Sequence, residues 1–145
     1  MLDVVYAIAG LSLLILGGNF LLKGSVDISL RLSIPKIVVG MTVVSFVTSA
    51  PELIVSAKAA LDGFPDLALG NVIGSNMFNL LAIIGISSFV GVIPVDPEFL
   101  QFDLWVMLGA SVLLLPFVFL GWNITRIWGV VLAALYLLYL KVLLS

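Results

Sequence analysis

The chain has 145 residues, of which 63% are hydrophobic and 10% are charged, and its formal net charge is −2. The charged fraction is far below the roughly 25% of an average soluble domain, and the mean hydropathy of +1.34 indicates an integral membrane protein. Because the chain has no cysteine and no histidine, disulfides, thiolate metal sites and imidazole ligands are excluded, and any ion chemistry must use oxygen. The small net charge and the lack of a basic patch argue against a nucleic-acid partner.

Five apolar runs follow one another along the chain. Each is close to about 20 residues, the length that a helix needs to span a bilayer. The runs are residues 4–22, 37–61, 67–95, 104–120 and 127–144. We therefore predict an all-α integral membrane protein with five transmembrane helices, which form a single membrane domain over residues 1–145.

Short connections separate these runs. Residues 33–35 end the first helix, because the residue before a proline disfavours the helical conformation and proline is well placed to begin the next helix. Asp27 and Arg31, spaced four residues apart, extend the first helix beyond Leu22. The other predicted connections are residues 62–66, 94–101 and 121–123.

Basic residues are few and unevenly placed. Cytoplasmic loops carry an excess of lysine and arginine, so the bias predicts that the first connection is inside and the N-terminus outside. One side carries Lys23, Arg31, Lys36 and Lys141, and the other carries Lys58 and Arg126. We expect a multi-pass protein of the plasma membrane, without an internal repeat.

Two stripes of polar residues lie within the apolar runs. In the second helix, spacings of three and four residues keep the stripe on one face, which we expect to point away from lipid. This stripe consists of Thr42, Ser45, Ser49, Glu52 and Ser56, with Thr48 alongside. In the third helix, Asn71, Ser75 and Asn79 repeat every four residues and form a second stripe.

Glu52 is the residue whose position most needs an explanation. An ionised carboxylate at mid-membrane costs about 3 kcal/mol on insertion scales, which favours an ion or proton site. Ser49 and Glu52 also fit a capping box at a helix that restarts at Pro51. Serine and asparagine side chains can bond across membrane helices, so for Asn71 and Ser56 a structural role is at least as well supported as a functional one.

Pro51 lies in the middle of the second helix. Because proline lacks a backbone donor, we predict a break at residues 48–51 that exposes carbonyl oxygens near Ser45. The glycine-rich GNVIGSN predicts a similar bend in the third helix, which would aim Ser75 and Asn79 at the same point. Discontinuous helices of this kind form ion sites in secondary transporters. Oxygen ligands suit Ca²⁺ or Na⁺ better than Mg²⁺ or zinc.

The segment VTSAPEL, followed by LALGNVIGSNMFN, resembles the alpha-repeat signature of the cation/calcium exchanger superfamily, in its Na⁺/Ca²⁺ exchanger branch. The combination of TSxPE and GNxxGSNxxN on adjacent spans is specific. The proton-coupled branch typically has GNxxE, which GNVIG lacks. The resemblance covers nearly the whole chain, with the repeat at residues 36–95. It implies one half of a ten-helix fold built from inverted repeats, with the second and third helices interrupted.

The resemblance also implies which residues hold the cation. Glu52 would be the main ligand, and the carbonyl of Ser45 is a further candidate. Additional oxygens would come from Thr48, Ser49, Ser75 and Asn79. Two positions depart from the pattern: Val47 stands where the family usually has glycine and would stiffen the break. Asn79 stands where the second repeat usually ends in aspartate, so the chain resembles a first half.

One half of such a fold cannot complete the ion site alone. The second repeat would come from a longer exchanger or from a second copy in an antiparallel homodimer. Such a dimer would bring together two Glu52 carboxylates, whose charge matches one Ca²⁺ or two Na⁺. The start at Met1 and the lack of a trailing linker favour a self-contained half. The implied function is a secondary active antiporter in the lipid bilayer that exchanges Ca²⁺ for Na⁺, with no enzyme activity and no cofactor.

Three other functions stay open at the level of the sequence. The first is exchange of Ca²⁺ for H⁺, or of another cation. The second is a non-transporting membrane subunit, in which the polar stripes only hold helices together. The third is a cation channel, because oxygen-lined stripes also suit a pore.

Overall fold

The computed structural model describes residues 2–95 and 97–144. Within these residues the regular structure is entirely helical, and five helices are long and apolar enough to cross a membrane. They are α1 (Leu2–Leu32), α2 (Lys36–Leu61), α3 (Pro65–Val90), α4 (Pro97–Phe119) and α5 (Arg126–Leu143). The predicted fold class and the number of spans are confirmed.

Large apolar side chains are exposed along all five helices. The apolar residues that are buried among the described residues are Val39, Ala59 and Phe117, and the buried polar ones are Ser25 and Ser29. An apolar exterior around hydrogen-bonded helices suits a hydrocarbon solvent, in which every backbone polar group must be satisfied internally.

The helices form two compact units. One unit runs to Ser75 and includes the C-terminal end from Leu143, and the other is Asn76–Val142. The boundary between them falls inside the sequence of α3. The single membrane domain over residues 1–145 stays a prediction.

Helices α2 and α3 are each interrupted by a π-helical turn, at Gly40–Val44 and at Phe78–Ile83. The predicted break at residues 48–51 is wrong, because a regular α-helix continues from Ser45 to Leu61 through Pro51. Transmembrane helices tolerate an interior proline where hydroxyl side chains and local π-helical adjustments satisfy the freed backbone groups. The irregularity of α2 therefore lies before the proline and not at it.

The connection between α1 and α2 is closed by Ser29. Its hydroxyl donates to the carbonyl of Ile34 at 2.6 Å, and the Ile34 N–H donates to the Ser29 carbonyl at 3.0 Å. Ser33 takes a φ of +54°, which reverses the chain before Pro35. Ser29 is 5% exposed, so this pair of hydrogen bonds is shielded and holds α1 beside the start of α2.

The connection between α2 and α3 is the tight turn that the sequence predicts. The Phe64 N–H donates to the Ala59 carbonyl and the Asp62 N–H donates to the Lys58 carbonyl, both at 2.8 Å. Gly63 has a φ of +83°, a conformation that glycine adopts without a Cβ penalty. Lys58 and Asp62 also form an exposed ion pair at 2.7 Å. Hydrogen bonds between α2 and α3 beyond the turn make the two helices an antiparallel hairpin.

In the second unit, α4 and α5 are joined by residues 120–125, where Gly121 has a φ of +67°. The ring of Phe117 lies edge-on to two indoles, with centroid distances of 6.5 Å to Trp122 and 5.2 Å to Trp128. Edge-to-face contacts of this kind add to the stability gained from burial. The aromatic cluster fixes the end of α4 against the start of α5, and the predicted connection at residues 121–123 lies within the observed one.

At the other end of these two helices, the Tyr139 hydroxyl donates to Asp103 Oδ1 at 2.9 Å. Helix α3 ends at Val90 and α4 begins at Pro97, so the predicted connection over residues 94–101 begins and ends too late in the chain. Proline fits the first turn of a helix, because the N–H that it lacks would have no intrahelical partner there. Residue 96, within that connection, lies outside the described residues.

We predict that Ser29→Ala lowers the free energy of unfolding by about 1 kcal/mol, because it leaves the Ile34 carbonyl without the hydroxyl donor. Denaturant titration of the purified chain in detergent measures this change. Ser12→Ala is the matched control, since the Ser12 hydroxyl donates to the Ile8 carbonyl on the exposed surface of α1. Equal losses in the two variants would contradict the role of Ser29 in the turn.

Candidate cation site

The hydroxyl groups on the polar face of α2 donate to carbonyls of the same helix. Ser45 Oγ donates to the Met41 carbonyl and, at 3.1 Å, to the Thr42 carbonyl. Thr48 Oγ1 donates to the Val44 carbonyl at 2.9 Å and to the Ser45 carbonyl at 3.2 Å. A hydroxyl that donates its proton to the backbone keeps its oxygen lone pairs. These oxygens can therefore accept a hydrogen bond or coordinate a cation.

Glu52 lies on the same face and is half-buried. Its Oε2 is buried and has no hydrogen-bond partner among the described residues. A buried carboxylate oxygen without a partner is costly, and such atoms in proteins usually meet an ion, a water molecule or a donor. The carboxylate is therefore free to bind a positively charged ligand.

The alternative role of Glu52 as a helix cap is wrong. The regular segment of α2 that contains Glu52 begins at Ser45, and its N-cap residue, Val44, makes no side-chain cap hydrogen bond. Both Ser49 and Glu52 lie inside this segment. There is no free helix N-terminus at Pro51 for a capping box to close, because the backbone remains helical through it.

Three hydrogen bonds join α2 to α3 at the level of Glu52. Asn71 Nδ2 donates to the main-chain carbonyl of Glu52 at 3.1 Å and to Ser56 Oγ at 2.9 Å. Ser56 Oγ in turn donates to the Ala68 carbonyl at 3.4 Å. We call Asn71, Ser56 and these contacts the hairpin clamp. The clamp holds the backbone of Glu52 and makes no hydrogen bond to its carboxylate.

The remaining predicted ligands are less closely connected. Ser49 is exposed and its hydroxyl has no hydrogen-bond partner among the described residues, whereas Ser75 is half-buried and donates to the Val72 carbonyl at 3.0 Å. No hydrogen bond within the described part of the chain joins either serine to Glu52. Asn79 is exposed within the π-helical turn of α3 and belongs to the second unit. The assignment of all six residues as cation ligands stays a prediction.

The oxygens of α2 define the type of ion that this face suits. In residues 2–95 and 97–144 there is no group of three or more histidine, cysteine, aspartate or glutamate residues that could hold a metal ion. The donor set around Glu52 is one carboxylate with neutral hydroxyl and carbonyl oxygens. Hard oxygen ligands of this kind suit Na⁺ and Ca²⁺.

Sequence reasoning left the role of Asn71 open, although the hairpin register contains the information. The rise per residue is the same in both helices of an antiparallel hairpin, so residues equally distant from the turn lie at the same height. Glu52 and Asn71 are equally distant from the turn at Leu61 and Asp62.

The sequence pattern does not single out Ser25 in α1. Its side chain is 7% exposed and its hydroxyl has no partner among the described residues.

The fold and this face define the chain as a multi-pass integral membrane protein with irregular intramembrane helices. Residues 2–144 match the family described as sodium/calcium exchanger protein. The chain belongs to this family, and the resemblance inferred from the two motifs is confirmed.

Three relatives illustrate how the chain compares with other members. It is 38% identical over 141 residues to the sodium/calcium exchanger MaX1 of Methanosarcina acetivorans, covering 97% of this chain and 40% of that protein. It is 38% identical over 112 residues to the inner membrane protein YrbG of Escherichia coli, covering 77% of this chain and 34% of YrbG. It is 28% identical over 122 residues to the human sodium/potassium/calcium exchanger 4, covering 78% of this chain and 20% of that exchanger. The chain thus spans less than half the length of these relatives, and no solved structure matches it.

We predict that Pro51→Ala stabilises the chain by up to about 3 kcal/mol, because alanine restores the N–H that can bond to the Val47 carbonyl. Thermal unfolding without added Ca²⁺ or Na⁺ measures the change. Pro116, inside α4, offers a matched comparison, and Pro116→Ala should also stabilise. A destabilised Pro51→Ala protein beside a stabilised Pro116→Ala protein would mean that the packing of α2 requires the proline ring.

Proposed function

We propose that this chain is one half of a secondary active cation antiporter that exchanges Ca²⁺ for Na⁺. The observation that carries the proposal is the buried, unpartnered Oε2 of Glu52 on a helical face rich in oxygen. Membership of the sodium/calcium exchanger family supports cation antiport as the class of activity. Na⁺ as the counter-ion is supported by the motif GNVIG, which lacks the glutamate of the proton-coupled pattern.

In this proposal Glu52 is the main ligand of the transported cation. The neutral oxygens come from Thr48, Ser49, Ser75 and Asn79, with the Ser45 carbonyl as a further ligand. The hydrogen bond that Thr48 donates to the Val44 carbonyl supports the role of its hydroxyl, because it directs the proton away from the lone pairs that would face the ion. Ca²⁺ takes six to eight oxygen ligands, so a site of this composition requires oxygens from more than one helix.

Antiport follows from competition for one set of oxygens. One Ca²⁺ or two Na⁺ would balance two carboxylates, so the two ions cannot occupy the complete site together. Exchange results if the site reorients across the membrane readily only when it is filled. A flux of Ca²⁺ that is independent of an opposing Na⁺ or Ca²⁺ gradient would contradict this coupling.

The second half of the site comes either from another copy of this chain, inserted in the opposite orientation, or from a complementary repeat. Transporters of this type place the ion site at the interface of two inverted repeats. The length of the relatives supports the need for a second half, since the chain covers 40% of MaX1. We place the assembled protein in the plasma membrane, with the N-terminus outside in the favoured orientation.

Replacing Glu52 by glutamine tests the proposal. Glu52→Gln keeps the size of the side chain and removes its charge, so we expect loss of Ca²⁺ and Na⁺ binding with the helical content and assembly retained. ⁴⁵Ca²⁺ uptake into Na⁺-loaded vesicles and equilibrium binding to the purified chain measure the effect. Asp66→Asn is the matched control, because it removes an exposed carboxylate in the first turn of α3.

Each outcome of this experiment separates the proposal from an alternative. Unchanged ion binding in Glu52→Gln would favour the non-transporting subunit. Uptake driven by a pH gradient and not by Na⁺ would favour Ca²⁺/H⁺ exchange. Single-channel currents through the reconstituted protein would favour a channel. The proposal requires Na⁺-driven uptake that Asp66→Asn retains and Glu52→Gln loses.

If a second copy completes the site, we predict an antiparallel dimer with twice the 15.5 kDa mass of one chain. Native mass spectrometry of the detergent complex measures the mass. Because the chain has no cysteine, Ser33→Cys and Phe64→Cys each introduce a single thiol, in connections at opposite ends of α2. A membrane-impermeant maleimide applied from outside should label a fraction of both variants. Labelling of one variant only, or a monomeric mass, would mean that a complementary repeat supplies the second half.

A further inference from the structure

The hairpin clamp contacts Glu52 through its backbone and not through its carboxylate. Asn71 Nδ2 is 3.1 Å from the main-chain carbonyl oxygen of Glu52, whereas Oε2 of the same residue is buried without a partner. Side-chain amides commonly donate to backbone carbonyls, and here such a contact falls on the residue whose carboxylate oxygen has no partner. Here the amide makes no hydrogen bond to the carboxylate oxygens.

The backbone contact of Asn71 lies next to Pro51, which weakens the helix at this point. Pro51 has no N–H, so the hydrogen bond that would tie residue 51 to the Val47 carbonyl is missing immediately before Glu52. The Asn71 amide donates to the carbonyl of Glu52, the residue that follows Pro51. We propose that Asn71 is a positioning residue, which replaces the support lost at Pro51 and holds Glu52 in the orientation that binds the cation. This inference rests on the proposed function of the same site.

The chemistry of asparagine suits this role. Its amide nitrogen carries two protons, and the structure assigns one to the Glu52 carbonyl and the other to Ser56 Oγ at 2.9 Å. Serine offers one proton, and an ionised aspartate offers none and would face the carbonyl oxygen with another acceptor. Asparagine can therefore connect two acceptors that lie one turn apart on α2, and it adds no charge beside Glu52.

A purely structural clamp makes a different prediction from a positioning residue. Ser56→Ala removes the contacts of Ser56 with Asn71 and Ala68 and leaves the donor to Glu52 in place. Asn71→Ala removes the contact with Glu52 as well. If the clamp only holds the hairpin together, both variants should lose stability. Their ion affinities should then be equal to each other. If Asn71 positions Glu52, ion affinity falls mainly in Asn71→Ala.

The chain contains two glutamates, Glu52 and Glu98, which makes Glu52 directly observable. In the 145-residue chain that carries Glu98→Gln, ¹³C at the glutamate side-chain carboxyl gives one NMR signal. We expect Asn71→Ala to shift this signal in cation-free protein and to weaken its response to Ca²⁺ about tenfold or more, as for other residues that orient a metal ligand. Ser56→Ala should change both quantities much less.

A side-chain exchange separates positioning from folding. The double variant Ser56→Asn with Asn71→Ser can restore a hydrogen bond between positions 56 and 71, although the shorter serine cannot also reach the Glu52 carbonyl. We expect it to recover the thermal stability lost in Asn71→Ala without recovering Ca²⁺ affinity. Recovery of both would overturn the inference, because hairpin stability alone would then set the affinity.

The same signal distinguishes failure of this inference from failure of the proposed function. A Glu52 carboxyl signal that responds to neither Ca²⁺ nor Na⁺ in the Glu98→Gln parent would overturn the proposed function, and with it the cation role of Asn71. A parent signal that responds, together with equal affinity in the parent, Asn71→Ala and Ser56→Ala proteins, would overturn only the positioning role.

Discussion

The free carboxylate of Glu52 is the constraint on which the rest of the hairpin depends. A carboxylate within a membrane helix costs about 3 kcal/mol on insertion scales, and a buried oxygen without a donor adds to that cost. In the proposed site a bound cation would offset this cost. The surrounding groups must therefore be hydrogen-bonded in a way that leaves the carboxylate open, and the structure meets this requirement with the described side chains of α2 and α3.

Among the described residues, the hydrogen bonds donated on the polar face of α2 and in the hairpin clamp go to groups other than the Glu52 carboxylate. The hydroxyl protons of Ser45 and Thr48 go to carbonyls of α2, and the amide protons of Asn71 go to the Glu52 carbonyl and to Ser56. What remains unpaired on this face is largely oxygen lone pairs. Lone pairs beside one carboxylate can coordinate a hard cation or accept hydrogen bonds from a donor, and they disfavour an anion. In the proposed site, local hydrogen bonding would thus favour a cation over an anion before a second repeat is considered.

The sequence predicts the spans and most of the connections well, because apolar runs, prolines and glycines act locally. It does not predict where α2 becomes irregular. The effect of Pro51 depends on whether other groups satisfy the freed backbone, and here the helix stays regular through the proline and the π-helical turn forms at Gly40–Val44. The role of Asn71 was also open, because both its partners lie across the turn and depend on hairpin register. The contact of Tyr139 with Asp103 is similarly long-range.

Charge determines what one half of the proposed site can do without the other. A single Glu52 carboxylate would neutralise one Na⁺, but with Ca²⁺ it would leave one positive charge in a medium of low dielectric constant, where an uncompensated charge is costly. A second carboxylate from an inverted copy or a complementary repeat would remove that penalty for Ca²⁺. It would also require a second Na⁺ for the same neutrality. In this arrangement the binding of a divalent ion and the coupling to more than one Na⁺ would have a common origin in the pairing of two half-sites.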